Sequence, residues 1–220
     1  MVRVKICGIT SPAEARLAER LGAHAVGLLV GRVHASADFV EPAVAGVIAR
    51  SLPPFVTAVL VTHLAEPDEL VRLASAVPCP VLQLHSDLDG AALRELRPRL
   101  ELRKIIGKVS VEDATAVDRV REIEPFVDAI VLDSRDRATD RVGGTGLVHD
   151  WSISARIVVA AAVPIILAGG LTPENVAAAI GAVQPWGVDV HSGVESRDGQ
   201  KDESRMRRFI AAAGAQRVKA

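Results

Sequence analysis

Two side chains in this sequence stand where proton exchange is expected. Cys7 follows the apolar run Val2–Ile6, and Asp133 follows the apolar run Val127–Leu132. A thiolate at a strand end can act as base or nucleophile when a nearby cation or helix terminus lowers its pKa. The plainer reading of a free cysteine is a small buried hydrophobe. A carboxyl group in the second position can serve as a general acid if partial burial raises its pKa. Its plainer reading is an Asx turn or a salt bridge to Arg135. Three glycine clusters add a third element: Gly143-Gly144-Thr145-Gly146, Ala168-Gly169-Gly170 and Ser192-Gly193. Glycine lets backbone N–H groups come close to a phosphate, and a following helix adds a favourable dipole. The phosphate-binding residues expected are Gly144, Thr145, Gly146, Gly169, Gly170, Ser192 and Gly193.

Other polar residues are less specific. His34, His63, His85 and His191 fall after separate strand-like runs and lack the close spacing of a metal motif, so no metal is expected. They read as substrate contacts or as solvated loop residues. Asp189, inside an apolar run, reads as a buried hydrogen-bonded acid. Cys79, between Pro78 and Pro80, reads as structural, and Trp151 and Trp186 as packing residues.

The positioning elements alternate along the chain. Strand-like runs cover Val2–Ile6, Ala25–Val30, Phe55–Val61, Val81–Leu84, Leu102–Ile106, Val127–Leu132, Ile165–Leu167 and Val188–Val190. Helical spacing covers Ser11–Leu21, Pro42–Ser51, Pro67–Ala76, Asp89–Arg97, Val111–Ile123, Ser152–Ala162, Val176–Val183 and Lys201–Ala213. Ser11-Pro12-Ala13-Glu14 carries the signature of a capping box, and Thr172-Pro173-Glu174-Asn175 repeats it. The strands are apolar throughout and do not alternate, which suits a parallel sheet buried on both faces. Eight such units without a linker predict one α/β domain over residues 1–220, a (β/α)8 TIM barrel; an open doubly wound sheet is the rival. In a barrel all the polar clusters above fall at the carboxyl ends of the strands, where such folds keep their active sites.

Composition narrows the function. The 220 residues are 49% hydrophobic, enough for a large core and unlike a disordered chain. With 26 basic and 27 acidic residues, the net charge of −1 provides no general attraction for nucleic acid or an anionic membrane. Aromatics at 3%, with no tyrosine, disfavour base stacking. Two cysteines make no disulfide framework, and neither a signal peptide nor a membrane span is seen. A soluble cytoplasmic protein acting on a small molecule is expected, as a monomer or homodimer.

The same residues carry a family resemblance. Lys5-Ile6-Cys7-Gly8-Ile9-Thr10 resembles the opening motif of phosphoribosylanthranilate isomerases. Gln83-Leu84-His85, Leu132-Asp133-Ser134, Gly143-Gly144-Thr145-Gly146 with Asp150-Trp151, Ala168-Gly169-Gly170 through Val176, and Val188-Asp189-Val190 with Ser192-Gly193-Val194-Glu195 and Lys201-Asp202 follow in order. The resemblance implies a cofactor-free Amadori rearrangement in tryptophan biosynthesis, with Cys7 as general base and Asp133 as general acid. It also implies substrate contacts from Lys5, Arg32, His34, Gln83, His85, Asp189 and His191.

One stretch departs from the family pattern. After the second strand the family has an arginine facing the anthranilate carboxylate, whereas here the position before Phe39 is Asp38. Thr62-His63, Ser86 and His191 stand where the family has asparagine, glycine and serine. Arg32, in a shifted loop, is then the cation available to the carboxylate. Two alternatives remain open at this level. One is a paralogue using the same chemistry on another phosphoribosyl-amine or related phosphosugar. The other is a non-catalytic phosphosugar-binding barrel.

Overall fold

The computed structural model describes residues 1–31, 33, 36–100, 103–136, 141–142 and 149–216, with 135–136 and 141–142 described by their backbone alone. Eight parallel strands close a barrel: β1 Arg3–Ile6, β2 Ala25–Leu29, β3 Thr57–Thr62, β4 Val81–Leu84, β5 Lys104–Ser110, β6 Ala129–Asp133, β7 Ile165–Leu167 and β8 Gly187–Val190. Around the closed sheet the order is β1-β8-β7-β6-β5-β4-β3-β2, so the first and last strands form the seam. The helices are α1 Pro12–Arg20, α2 Pro42–Ser51, α3 Pro67–Ala76, α4 Gly90–Leu96, α5 Ala116–Ile123, α6 Trp151–Ala160, α7 Val176–Val183 and α8 Glu203–Gly214. None of the described helices is long and apolar enough to cross a membrane.

Residue chemistry accounts for most of these boundaries. Ser11 Oγ accepts the Glu14 N–H, and Pro12 starts α1, where a missing N–H is harmless. The Glu14 carboxylate does not close the expected box on Ser11; it takes the Thr10 N–H and hydroxyl, one residue earlier. At the second site Asn175 does the closing, accepting the Thr172 N–H at 2.8 Å, and α7 begins after it.

Three expected elements move. β3 starts at Thr57, leaving Phe55 exposed rather than in the sheet. α5 starts at Ala116, because residues 111–115 form a turn fixed by the Asp113 carboxylate accepting the Thr115 N–H and hydroxyl. β5 runs from Lys104 to Ser110 rather than ending at Ile106, since Gly107 and Lys108 interrupt the apolar pattern without interrupting the strand; Leu102 of the expected run lies outside the described residues. A short antiparallel ribbon, Arg135–Asp136 with Arg141–Val142, follows β6 and was not foreseen in the sequence.

Both faces of the strands are buried, as their apolar runs require. The larger cluster lies between sheet and helices and includes Ile6, Leu28, Leu60, Leu82, Ile105, Ile130, Leu167 and Phe209. A smaller one takes the alternate strand positions: Cys7, Leu29, Val59, Val61, Ile106, Ala129, Val131, Ile166 and Ala168. It draws on five strands and the residue after β1, and is the packed lumen. The other inward positions are polar. Lys5, Gln83, Lys108, Asp133 and Asp189 are buried there.

Candidate active site

Cys7 sits on the seam. Its backbone N–H donates to the Val190 carbonyl, which fixes the thiol at the rim of the lumen. Beneath it, Lys5 Nζ lies 2.6 Å from Asp189 Oδ2, with both side chains less than a tenth exposed. Gly27 on β2 leaves room for this group, since a methyl there would stand 2.6 Å from Cys7 Sγ and 3.1 Å from Lys5 Cε. The thiol does not show the lowered pKa expected of it. Burial pushes it up, and Lys5 and Lys201 offset only part of that rise. Burial alone would push Lys5 down, yet Asp189 holds it above its usual value, so the ammonium stays charged beside the sulfur.

Asp133 ends β6 across the lumen. Its Oδ1 accepts the Ser134 N–H at 2.7 Å, and its Oδ2 lies 3.3 Å from His85 Nε2. The expected rise in pKa is also reversed here. Burial raises the carboxyl, but the His85 contact, the Ser134 N–H and Lys108 together carry it below its ordinary range. His85 Nδ1 is 3.1 Å from the Gln83 amide nitrogen. An amide N–H donated to Nδ1 leaves the ring proton on Nε2, directed at Asp133. Behind the acid, His149 spans Ser134 Oγ at 3.0 Å and Ser154 Oγ at 2.7 Å, and burial keeps its pKa low.

The glycine turns of β7 and β8 lie between base and acid, because the order β1-β8-β7-β6 puts those two strands there. Gly169 and Gly170 both have positive φ, at 78° and 64°. A methyl on Gly169 would meet Ser134 Oγ at 2.2 Å and the Ser134 nitrogen at 2.6 Å. A methyl on Gly193 would meet the Leu171 carbonyl at 1.9 Å, so the two turns are in contact. Asn175 Nδ2 donates to the Gly170 carbonyl and holds the first turn from below. Ser192 opens a 3-10 turn, Ser192–Val194. The third expected phosphate element, Gly144, Thr145 and Gly146, lies outside the described residues, as do Arg32 and His34.

A further polar group spans the ends of β2 and β8 on either side of β1. Asp38 does not stand alone: its Oδ2 is 3.2 Å from His191 Nε2, and Glu195 Oε1 is 3.3 Å from the same nitrogen. Two positions that depart from the family pattern therefore face each other. The contact with His191 holds the Asp38 carboxyl below its usual pKa. The three ligand atoms lie within 4.8 Å of one another, a grouping with carboxylates that sequence spacing did not reveal. Lys201, 2.5 Å from Glu195 Oε1, already supplies the cationic charge of that group. Edge-on rings run from Phe39 to His63 at 5.9 Å and on to His85 at 4.8 Å. Lys108 and Ser110, inward-facing on β5, were missed in the sequence because β5 seemed to end before them. The packing expectations for Cys79 and Trp151 agree with what is seen, since Cys79 is buried with its thiol pushed up to about 11 and Trp151 packs on the core, whereas Trp186 is 42% exposed with Arg3 4.6 Å over its ring.

Comparison with known proteins adds an independent line. The family profile described as N-(5'phosphoribosyl)anthranilate (PRA) isomerase matches residues 4–212. The chain is 44% identical over 209 residues to N-(5'-phosphoribosyl)anthranilate isomerase 2 of Methanosarcina mazei, covering 95% of this chain and 92% of that one. It superposes on the crystal structure of phosphoribosyl anthranilate isomerase from Thermotoga maritima with a TM-score of 0.84 at 34% identity, covering 98% of this chain and all of that one. A second crystal structure, of such an isomerase in complex with reduced 1-(o-carboxyphenylamino)-1-deoxyribulose 5-phosphate, matches with a TM-score of 0.81 at 34% identity over 98% and 100% of the two chains.

Proposed function

The chain belongs to the N-(5'-phosphoribosyl)anthranilate isomerase family, and we propose that its barrel rim carries out that family's rearrangement with Cys7 as base and Asp133 as acid. The reaction is the Amadori conversion of N-(5-phosphoribosyl)anthranilate to 1-(2-carboxyphenylamino)-1-deoxyribulose 5-phosphate, a step of tryptophan biosynthesis. The observation that supports these roles is the strand order. β7 and β8, with the turns suited to phosphate, stand between β6 with Asp133 and β1 with Cys7. A ribose anchored there by its 5-phosphate extends into the lumen between the two groups, with its aryl-amine toward Phe39, His63 and His85.

The chemistry then follows from proton positions. Asp133, carrying a proton taken up from solvent, delivers it to the ring oxygen and opens the ribose to a Schiff base, and the His85 Nε2–H then donates to the carboxylate left behind. Cys7 removes the C2 proton, giving an enolamine. Return of a proton to C1 and loss of the O2 proton give the ketone, so no redox cofactor is called for. The cost of a buried thiolate falls on Lys5, whose ammonium Asp189 holds beside the sulfur. A cytoplasmic location, where thiols stay reduced, suits the two buried free cysteines Cys7 and Cys79.

The test is turnover of N-(5-phosphoribosyl)anthranilate, followed by loss of anthranilate-type fluorescence. Cys7→Ser and Asp133→Asn should each lower kcat by about 10²–10⁴-fold, the range set by a single positioned acid or base. A folded wild type without turnover would overturn the reaction. Turnover that survives both changes would overturn the assignment of roles.

A further inference from the structure

The lumen holds a second buried lysine that the catalytic scheme does not use. Lys108 is the inward residue of β5 after Ile106, and its side chain is 1% exposed. Lys5 and Lys201, also buried, face partners of 8% and 15% exposure. The partner of Lys108 is Asp87, whose side chain is 55% exposed. The 2.7 Å contact is within ion-pair reach but off the direction of a hydrogen bond, and Nζ makes no hydrogen bond among the described residues. The next inward position on β5 repeats the pattern, since Ser110 Oγ is buried without a hydrogen-bond partner. A buried ammonium whose ion-pair partner is half-exposed, beside a buried hydroxyl with no hydrogen-bond partner among the described residues, is costly unless a ligand completes them.

Their place in the barrel suggests which ligand. β5 is diametrically opposite β1 in the closed sheet and adjoins β4, which leads into His85. A substrate whose phosphate lies at β7–β8 therefore directs its other end toward β3 and β4, beside which β5 stands. We propose that Lys108, with Ser110 beside it, receives the arylcarboxylate of the substrate, and that Asp87 is the counter-ion this carboxylate displaces. The inference rests on the isomerase reading above, because it takes its ligand from that substrate. It assigns to β5 the cation that the Asp38 position lacks.

A binding experiment separates the two claims. The probes are the reduced product analogue carrying the o-carboxyphenyl group and its phenyl counterpart without the carboxylate, titrated by calorimetry. Wild type should favour the carboxylate form. Lys108→Met should weaken that form by about 10–100-fold, as expected for a lost hydrogen bond to a charged group, and leave the phenyl form within about 3-fold. Asp87→Asn should bind the carboxylate form as tightly as wild type or more so. In turnover, Lys108→Met should raise KM far more than it lowers kcat. Equal weakening of both ligands would overturn the proposal, and so would an undiminished preference for the carboxylate. A change confined to the pH profile of kcat would instead make Lys108 a group acting on Asp133. If wild type fails to turn over the substrate, the isomerase reading falls, while the two-ligand comparison still decides on Lys108.

Discussion

The rim formed by β6, β7, β8 and β1 differs from the rim formed by β2 to β5 in how its polar groups are matched. On the first side the buried groups hold one another. Lys5 meets Asp189 at 2.6 Å, Asp133 takes the Ser134 N–H, and Gly169 lies against Ser134 with no space for a side chain. On the second side the partner is half-exposed and misaligned, as with Lys108 and Asp87, while Asp38, after β2, reaches across the seam to His191, after β8. The first arrangement fixes groups that must not move while protons are transferred. The second leaves charge to be completed by whatever binds. Affinity for the sugar phosphate and discrimination of the attached amine are thus assigned to different halves of one barrel.

The largest expected effect would break that contrast at the buried pair. Asp189→Asn leaves the Lys5 ammonium uncompensated at 6% exposure and should cost about 3–5 kcal/mol of stability by denaturant titration. Asp87→Asn, removing the counter-ion on the other half, should change stability by less than about 1 kcal/mol, because an exposed carboxylate contributes little. Equal losses would show that the two lysines are held alike. A second comparison uses two glycines of similar φ. Gly169→Ala, at φ 78°, meets backbone and Ser134 and should cost about 2 kcal/mol or more with a raised KM. Gly31→Ala, at φ 80°, meets only side-chain atoms of Leu64 and Thr62 at 2.9–3.0 Å, and should stay near 1 kcal/mol. The smallest effect concerns Asp38. Its pKa is depressed in the folded state, so the stability it contributes is present above its unfolded pKa and is lost as pH falls through the folded one. Asp38→Asn should therefore cost less than about 1 kcal/mol at neutral pH, and the difference from wild type should begin to shrink near pH ~4 and vanish only below the lowered folded-state value.

The two halves also differed in how far the sequence revealed them. Cys7 and Asp133 could be read because each follows an apolar run, and glycine doublets stand out against helical stretches. Lys108 could not, because a lysine after a glycine looks like a strand's end when the sheet closing over it is unseen. Asp38 and His191 are 153 positions apart, so their facing each other depends on the closure of the barrel. The pKa directions of Cys7 and Asp133 were misjudged for a related reason. Motifs name the nearest charge, but the net shift depends on burial and on partners such as His85 brought in from other strands.

The seam gives the base an unusual dependence on the order of synthesis. Lys5 and Asp189 are separated by 184 positions, and the Cys7 N–H is bound by Val190 from the same late strand. A growing chain therefore carries Cys7 and a lysine without its counter-ion through almost the whole of translation. The earlier units can stack against their neighbours as they emerge, but the environment of the base is completed only when β8 arrives. Joining such distant segments carries the greatest loop-closure entropy in the fold. Competence for catalysis and circular closure of the sheet then become the same late event, so a chain truncated before β8 would retain the acid Asp133 and its histidine while lacking the setting that makes Cys7 useful.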